Sequence, residues 1–522
     1  MAPNVVSPTP PWWQTAVVYQ IYPRSFCDTS GNGIGDIEGI RSRLDHLEWL
    51  GVDALWMSPV FTSPMADHGY DVADYCDIDP LFGDLAAMDT LLADVHDRGM
   101  RVILDWVPNH TSDQHRWFME SRSSNDNPRR DWYYWREGTS DKPPNNWQAV
   151  FPAGPAWTFD EASGEWYLHL FTPDQPDLNW NNPDVRAAMA DTLRFWLDRG
   201  VDGFRMDVVH MIGKDPTLPD LLSGPGSPLL EYDEPSTHQH LREIRRVLDA
   251  YDGDRCSVGE VYLLEPDVVA TYYGNDDELH MSFNFMSVWT GWDADAWRRV
   301  VKGAQDAFDP VGGWPTWVLS NHDLPRHRQR FGGDAAIARA AVLLLLCLRG
   351  TPFMYAGEEL GLVDAEVAPD QIQDPSGSRD GCRAPIPWEP GHGHGWPAAK
   401  NWLPFPPEAA LRNAQTQRVD PASIAWLYKD VLAERRGSSA LQRGSQELLE
   451  GLCDGILAWR RSYEDDERII VINMTNEDVE IDLAEPTMIR MSSVASHQNG
   501  NEDHAFDGGI PANSGMILVP RR

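Results

Sequence analysis

Hydrophobic residues recur along most of the chain with two alternating spacings. Short runs of apolar residues predict buried strands, and segments with apolar residues three or four positions apart predict helices. Strands are predicted at residues 17–23, 54–60, 101–107, 203–209, 256–261, 280–285, 316–320 and 351–355. Helices are predicted at residues 37–50, 84–98, 185–199, 238–250, 295–307, 334–348 and 421–441. Eight largely apolar strands, mostly followed by helices, predict a closed parallel (β/α)8 TIM barrel of the α/β class.

The alternation stops at two places. Residues 111–178 are rich in Asn, Pro, Trp and Asp, which predicts an inserted subdomain after the third strand. Residues 445–522 contain short alternating runs separated by turns, which predict a C-terminal antiparallel β domain. The predicted barrel therefore comprises residues 1–110 and 179–444.

Composition narrows the class of partner. The formal net charge is −37, and phosphate binding needs a basic surface, so nucleic acid is excluded as a partner. The N-terminus has no signal-peptide pattern, and the apolar run Ala340–Leu348 is too short to span a bilayer. Six cysteines without a C-x-x-C pair indicate reduced thiols. We expect a cytoplasmic protein, monomeric or homodimeric, that binds a neutral small molecule.

Polar residues cluster at the ends of four predicted strands. In a TIM barrel, the C-terminal ends of the strands carry the chemistry. Any one of these residues could be structural, but agreement among four strand ends predicts an active site. They are Asp105 and His110 after the third strand, Arg205, Asp207 and His210 on the fourth, Glu260 after the fifth, and His322 and Asp323 after the seventh.

The residue types at these ends suit cleavage of a glycosidic bond. H-E-x-x-H, a Gly-rich phosphate loop and G-x-S-x-G are all missing from the sequence. Arg205 and Asp207 are two residues apart on a strand, so they share a face, where an arginine keeps a carboxylate ionised. Two carboxylates, one attacking and one protonating the leaving oxygen, perform retaining glycoside hydrolysis.

Five segments carry a specific resemblance. They resemble signature segments of the α-amylase superfamily (glycoside hydrolase family 13), in its oligo-1,6-glucosidase and α-glucosidase branch, and the resemblance extends from about Trp13 to the C-terminus. The segments are Asp105–His110, Gln175–Trp180, Gly203–Asp207, Val258–Val261 and Ser320–Asp323.

The resemblance implies a role for each site residue and a retaining exo-acting α-glucosidase that acts on short α-glucosides. Asp207 would be the nucleophile, Glu260 the general acid/base, and Asp323 the group that holds the sugar hydroxyls in the transition state. The substrate-binding residues would be Arg205, which orients Asp207; His110 and His322, which hydrogen-bond the sugar; Asp67 and Tyr70, which hold the terminal glucose; and Arg383, which closes the pocket.

One loop resembles a cation site. Oxygen donors alternate with glycines in Asp28–Asp36, a pattern that suits Ca²⁺. The resemblance implies a structural Ca²⁺ bound by Asp28, Ser30, Asn32, Ile34 and Asp36, with Mg²⁺ as an alternative. A hydrogen-bonded turn without metal remains possible, and no cofactor is expected for the chemistry.

Linkage preference and reaction outcome stay open. Val208 resembles the residue of enzymes that cleave α-1,6 bonds, whereas Gly213-Lys214-Asp215 and Glu231-Tyr232-Asp233 resemble α-glucosidases that take short maltooligosaccharides. We therefore expect a general α-glucosidase. The alternatives are a glucosyl transferase or isomerase of the trehalose synthase or sucrose isomerase type, and a non-catalytic sugar-binding or transporter-accessory barrel.

Overall fold

Eight parallel strands form the central sheet of the structure, a computed structural model that describes residues 10–483, 485–497 and 504–521. In chain order they are β1 Val18–Ile21, β2 Ala54–Met57, β3 Arg101–Trp106, β4 Gly203–Met206, β5 Cys256–Gly259, β6 Met281–Ser282, β7 Thr316–Val318 and β8 Thr351–Tyr355. The order across the sheet is β6-β5-β4-β3-β2-β1-β8-β7, which confirms the predicted barrel.

Side chains complete the barrel between β6 and β7. The Thr316 hydroxyl donates to the Ser282 carbonyl at 2.9 Å. The same hydroxyl oxygen accepts a hydrogen bond from the Asn284 backbone N–H at 3.2 Å. β6 contains only two residues, so the predicted strand at 280–285 was too long.

The barrel strands are buried at nearly every position, and successive residues pack into two different layers. Ile103 packs inside the barrel against a cluster that includes Trp56. Its neighbours Val102 and Leu104 pack in the layer between strands and helices. Asp105 on β3 and Arg205 on β4 are paired in register, and both side chains point into the barrel. They therefore lie on the inside of the barrel near its open end.

Helices surround the barrel and connect its strands. Asp84, Asp293 and Asp334 each accept a hydrogen bond from the first turn of the helix that follows, which explains where three of them begin. The α-helices are Trp12–Thr15, Pro23–Phe26, Ile37–Ser42, Leu44–Leu50, Leu85–Asp97, Arg116–Ser123, Pro183–Asp198, Pro235–Asp249, Pro266–Thr271, Phe285–Trp289, Ala294–Phe308, His327–Arg330, Ala335–Cys347, Ala414–Val419, Ile424–Gly437 and Ser439–Arg443.

Two predicted helices are divided. Residues 37–50 form two helices, since Arg43 leaves helical geometry at φ −112° and ψ 7°. Residues 421–441 are likewise interrupted, at Ser438. No helix in the described part of the chain is both long and apolar enough to cross a bilayer.

The segment between β3 and β4 carries its own antiparallel sheet. Glu165–Leu168 is its central strand and pairs with Trp135–Glu137 and Trp157–Asp160. The strand pair Phe61–Thr62 and Asp74–Ile78 lies in the chain between β2 and β3. Both insertions follow the C-terminal ends of barrel strands, so they extend the rim around the open end of the barrel.

The last part of the chain is an antiparallel β structure. Six strands of its described residues form one sheet, in the order Ser445–Leu448, Ile456–Tyr463, Asp466–Asn473, Ser514–Pro520, Thr487–Ser492 and His504–Ala505. A separate pair joins Val479–Glu480 with Gly509–Ile510. Trp459 and Arg461 donate to the Cys347 carbonyl at the end of a barrel helix, which ties this sheet to the barrel.

Candidate active site

The predicted carboxylates meet in one cavity at the C-terminal end of the barrel. Asp207 directly follows β4 and Glu260 directly follows β5, while Asp323 follows β7. These three residues line a cavity of about 280 Å³. The Asp207 N–H donates to the Trp106 carbonyl at 2.9 Å and the Glu260 N–H donates to the Met206 carbonyl at 2.8 Å. Both residues therefore continue the hydrogen-bond ladder of the barrel, which holds their positions.

Arg205 holds Asp207 and Glu260 side by side from below the cavity. Its Nη1 donates to Asp207 Oδ1 at 2.7 Å and to Asp105 Oδ1 at 2.8 Å. Its Nη2 donates to Glu260 Oε2. The arginine is 3% exposed, so these charge-assisted bonds are shielded from water. One guanidinium thus serves three carboxyl groups.

Because three carboxyl groups share one guanidinium, the pKa values of Asp207 and Asp105 are shifted. Burial raises the pKa of Asp207 well above its usual range; Arg205 lowers it, and the adjacent Glu260 carboxylate raises it again. Burial also raises the pKa of Asp105 to about 6, against the lowering effect of Arg205. Such a cluster retains a proton near neutral pH. Within the cluster, Arg205 opposes the effect of burial and favours the Asp207 carboxylate.

An ion-pair network forms the polar end of the cavity. Arg379 Nη2 lies 2.7 Å from Asp67 Oδ1, and Nη1 lies 3.1 Å from Asp323 Oδ1. All three residues line the cavity. Burial opposes ionisation of Asp323, but the surrounding charges, including Arg379 and Arg383, lower its pKa below the usual range. Asp323 is therefore an anion at neutral pH, positioned to accept hydrogen bonds from a ligand.

Arg383 does not lie where the sequence analysis placed it. The side chain is fully buried and is not among the residues that line the cavity. Its Nη2 donates to Asp323 Oδ1 at 2.9 Å, and its Nε donates to the His322 carbonyl at 2.7 Å. Arg383 thus supports Asp323 from behind. The arginine of this loop that reaches the cavity is Arg379, four residues earlier and not singled out from the sequence.

The two predicted histidines occupy different layers. His110 lines the cavity. His322 lies behind Tyr70: the two rings stack with centroids 5.5 Å apart, and the Tyr70 hydroxyl is 2.6 Å from His322 Nε2. Burial lowers the pKa of His110 to about 4 and that of His322 to about 3. Both rings are therefore neutral at pH 7 and act as hydrogen-bonding groups.

Gln175 is a further polar residue at the cavity. Its Nε2 donates to Asp67 Oδ2 at 3.3 Å and lies 3.2 Å from His110 Nε2. Gln175 lines the cavity and joins these two predicted sugar ligands. The sequence signal was present, since Gln175 begins one of the five resembling segments, but no role was assigned to it.

The two sequence cues for linkage preference separate in space. Val208 lines the cavity and adopts left-handed backbone geometry at φ 33° and ψ 42°, which is strained for a β-branched residue. This turn directs the Val208 N–H to Glu260 Oε2 at 3.2 Å. Lys214 is fully buried and pairs with Asp177 at 2.9 Å, away from the cavity lining. Of Val208 and Lys214, only Val208 can contact a ligand in the cavity directly.

The predicted cation loop is closed by its own hydrogen bonds. The Asp28 carboxylate accepts from Ser30 Oγ and from the N–H groups of Gly31 and Gly33. Asp36 accepts from Thr29 and from Gly39. Two carboxylates with neutral oxygen donors suit a hard cation such as Ca²⁺. Within the described residues, no group of three or more His, Cys, Asp or Glu side chains is arranged to hold a metal ion.

Comparison with known proteins identifies relatives along nearly the whole chain. The sequence model of the α-amylase catalytic domain matches residues 20–444. An oligo-1,6-glucosidase of Halalkalibacterium halodurans is 39% identical, with 94% of this chain and 96% of the relative covered. A probable α-glucosidase of Rhizobium meliloti is also 39% identical, with 91% of each chain covered.

Solved structures show the same architecture. The α-glucosyl transfer enzyme XgtA superposes with a TM-score of 0.90 at 36% identity, covering 98% of this chain and all of its own. The trehalulose synthase of Pseudomonas mesoacidophila superposes with a TM-score of 0.89 at 32% identity, with the same coverage. The barrel and the elements around it are therefore shared with both.

Proposed function

The chain belongs to the α-amylase family of glycoside hydrolases (family 13), and we propose that it is a retaining, exo-acting α-glucosidase that releases glucose from the non-reducing end of short α-glucosides. One observation carries this proposal: Arg205 holds Asp207 and Glu260 together in a cavity whose polar end is formed by the Asp67–Arg379 ion pair. The two relatives described above are named as glucosidases, which agrees with this proposal.

The proposed reaction is a double displacement. Asp207 Oδ attacks the anomeric carbon while Glu260 gives its proton to the leaving oxygen, which yields a β-glucosyl ester and a free aglycone. Glu260, now a carboxylate, removes a proton from water as the water oxygen attacks the anomeric carbon. The bond between that carbon and Asp207 breaks, and Asp207 is released as a carboxylate. Two inversions return the α-configuration. Asp323 is positioned to accept hydrogen bonds from ring hydroxyls that strengthen in the transition state.

The polar end of the cavity supports exo action. Arg379 contacts both Asp67 and Asp323, so a chain that continued beyond the terminal glucose would meet this network. His110 and Gln175 add neutral hydrogen-bonding groups beside it. A site of this kind accepts one glucosyl unit and excludes water around the reacting bond.

For linkage preference we propose that α-1,6 bonds are cleaved at least as well as α-1,4 bonds. Val208 lines the cavity beside Glu260, whereas the competing cue at Lys214 lies in a buried ion pair. The transferase and isomerase alternative is supported only by structural neighbours and is not favoured. The non-catalytic alternative is disfavoured because the carboxylates are present and held together.

The cellular setting is also a proposal. We expect a cytoplasmic enzyme, because all six cysteines are free thiols in the described residues and four of them are buried. We further propose that the loop Asp28–Asp36 binds a structural Ca²⁺, or Mg²⁺ in its place, and that the enzyme is a monomer or homodimer. No cofactor takes part in the proposed chemistry.

Azide provides a test that assigns the two carboxylates separately. With a nitrophenyl α-glucoside, Asp207→Gly should lose at least ~10⁴-fold of its turnover, and azide should restore part of it by direct attack, giving β-glucosyl azide. With Glu260→Ala, azide should intercept the glucosyl ester and give α-glucosyl azide. Products of the opposite configuration, or full activity of Asp207→Gly, would refute the assignment.

A further inference from the structure

Arg379 belongs to a long irregular segment of the chain that follows β8. Residues 372–413 contain neither helix nor strand. Ser376, Ser378 and Arg379 of this segment line the cavity. Because no regular element holds these residues, other contacts must fix the position of the Arg379 side chain.

The carboxylate of Asp374 organises the part of the segment that carries Arg379. Asp374 Oδ2 accepts hydrogen bonds from the backbone N–H groups of Ser378 and Arg379, each at 3.0 Å. The same oxygen accepts a hydrogen bond from the Ser376 hydroxyl. The Asp374 carbonyl accepts from the Gly377 N–H at 2.9 Å. Residues 374–379 are therefore built around one carboxylate.

This carboxylate also holds the side chain of Arg379. Asp374 Oδ1 accepts a hydrogen bond from Arg379 Nε at 2.7 Å and lies 2.6 Å from Arg379 Nη2. The Asp374 side chain is fully buried and does not line the cavity. Burial opposes ionisation of Asp374, but the hydrogen bond and the charge of Arg379 lower its pKa below the usual range. Asp374 is thus a buried anion behind Arg379.

The guanidinium of Arg379 connects this buried anion with two carboxylates at the cavity. Its Nη2 lies 2.7 Å from Asp67 Oδ1, and its Nη1 lies 3.1 Å from Asp323 Oδ1. Phe151 of the inserted segment covers the guanidinium, with Cζ 4.9 Å from the centre of the ring. All three guanidinium nitrogen atoms thus have a carboxylate partner, which fixes the orientation of the group as well as its position.

Asp374 also explains why Arg379, and not Arg383, reaches the cavity. Arg383 Nη1 is buried 3.8 Å from Asp374 Oδ1 and has no hydrogen-bond partner among the described residues. The hydrogen bonds of Asp374 go to the backbone and side chain of Arg379. Arg383 is left to donate to Asp323 and to the His322 carbonyl.

We propose that Asp374 is the positioning residue for Arg379: its buried carboxylate holds the guanidinium across the polar end of the cavity and thereby maintains exo action. This inference rests on the proposed α-glucosidase function. Asp374 does not touch the substrate, so its whole effect on the reaction passes through Arg379.

The first test is Asp374→Asn, which removes the negative charge and keeps the size of the side chain. We expect kcat/KM for isomaltose to fall about tenfold or more, since Arg379 loses a buried charged partner. The variant should also gain slow cleavage of oligosaccharides blocked at the non-reducing end, which a general loss of structure would not produce. Asp370→Asn makes the same change at an exposed aspartate nearby and should keep both wild-type values.

A double-mutant cycle shows whether Asp374 acts through the arginine. In an Arg379→Ala background, the further change Asp374→Asn should alter kcat/KM by less than about threefold, because the group it positions is already missing. An equal fold-change in both backgrounds would overturn the proposal, since Asp374 would then act independently of Arg379.

Arg379→Lys tests the proposal with Asp374 intact. Its result stands even if circular dichroism and Tm show that Asp374→Asn is unfolded. A single ammonium group cannot bridge Asp374 to both Asp67 and Asp323, so we expect kcat/KM for isomaltose to fall about tenfold or more. Wild-type activity of Arg379→Lys would overturn the proposal, because it would show that the bridge to Asp374 is not needed.

The outcomes separate this inference from the proposed function. If the wild type cleaves maltose or isomaltose but Asp374→Asn matches it on both substrate types, the positioning role is overturned and the glucosidase function stands. If the wild type cleaves no α-glucoside, the proposed function itself fails.

Discussion

The guanidinium of Arg379 lies 2.7 Å from the carboxylate of Asp67, a contact between residues 312 positions apart in the chain. Each residue belongs to a different loop at the open end of the barrel, and their ion pair forms the polar end of the cavity. Both side chains are largely buried, at 11% and 5% exposure. The pair is therefore weakly screened and directly faces any ligand that enters.

Replacing Arg379 should open this end of the site. Arg379→Ala leaves Asp67 without its buried cationic partner and leaves Asp323 paired with Arg383 alone. The loss costs about 2 kcal/mol or more and predicts a drop of about 30-fold or more in kcat/KM for isomaltose. The variant should also begin to cleave oligosaccharides that are blocked at the non-reducing end.

The matched control for that prediction is Arg412→Ala. It removes a surface ion pair with Glu408 and should leave both measurements at wild-type values. Cleavage of end-blocked oligosaccharides by the wild-type enzyme would contradict exo action, because it would show that the cavity already accommodates a chain beyond the terminal glucose.

The acidic limb of the pH profile should depend on Arg205. Asp207 must be a carboxylate to attack; its pKa is raised by burial and lowered by Arg205. Activity should therefore fall as the pH drops through a value above the usual Asp range. Arg205→Gln removes the lowering charge, so the acidic limb of kcat/KM should move to higher pH by about one unit or more.

Arg205→Lys is the control for this shift. It retains a cation at the same place, and its acidic limb should lie nearer to that of the wild type. The measurement is kcat/KM against pH for the residual activity of each variant. A limb that stays in place or moves to lower pH in Arg205→Gln would contradict the electrostatic role of the arginine.

Calcium should stabilise the fold through the loop Asp28–Asp36. A cation at about a hundred times its Kd adds about 2.7 kcal/mol to the stability of the state that binds it. Wild-type Tm should rise on addition of Ca²⁺ and fall with a chelator, whereas Asp28→Ala should lose this response. Asp126→Ala, at an exposed aspartate outside the loop, should retain it. An identical Tm with Ca²⁺ and with chelator would exclude the site.

The net charge of −37 should make stability depend on salt. Repulsion among exposed carboxylates disfavours the compact state, and 0.1 M salt reduces the Debye length to about 10 Å. We expect Tm to rise from low salt to roughly 0.5 M NaCl, while KM for a neutral glucoside changes little.

A less acidic variant tests the cause of the salt effect. Amide replacement of the exposed residues Asp252, Glu366, Asp370 and Asp454 lowers the negative charge without touching the cavity lining. Its Tm should be higher at low salt and should rise less with NaCl. A Tm that falls with added salt in the wild type would show that specific ion pairs outweigh the general repulsion.

The barrel and the main site residues could be predicted from the sequence. Apolar periodicity is a local property, so it indicated eight strands and their ends, and the strand ends indicated Asp207, Glu260 and Asp323. The segments that resemble the α-amylase family are contiguous and attached to these strands. A side chain on a strand takes its position from the regular geometry of that strand, and the local sequence determines that geometry.

Only the tertiary structure decided which residues of the loops reach the cavity. Arg379 and Arg383 are four positions apart in one irregular loop, and the sequence analysis selected the second. Arg379 reaches the cavity because it pairs with Asp67, and Arg383 is buried because it donates to Asp323 and to the His322 carbonyl. A loop takes its conformation from contacts with distant parts of the chain. The spacing of residues within the loop does not indicate which contacts those are.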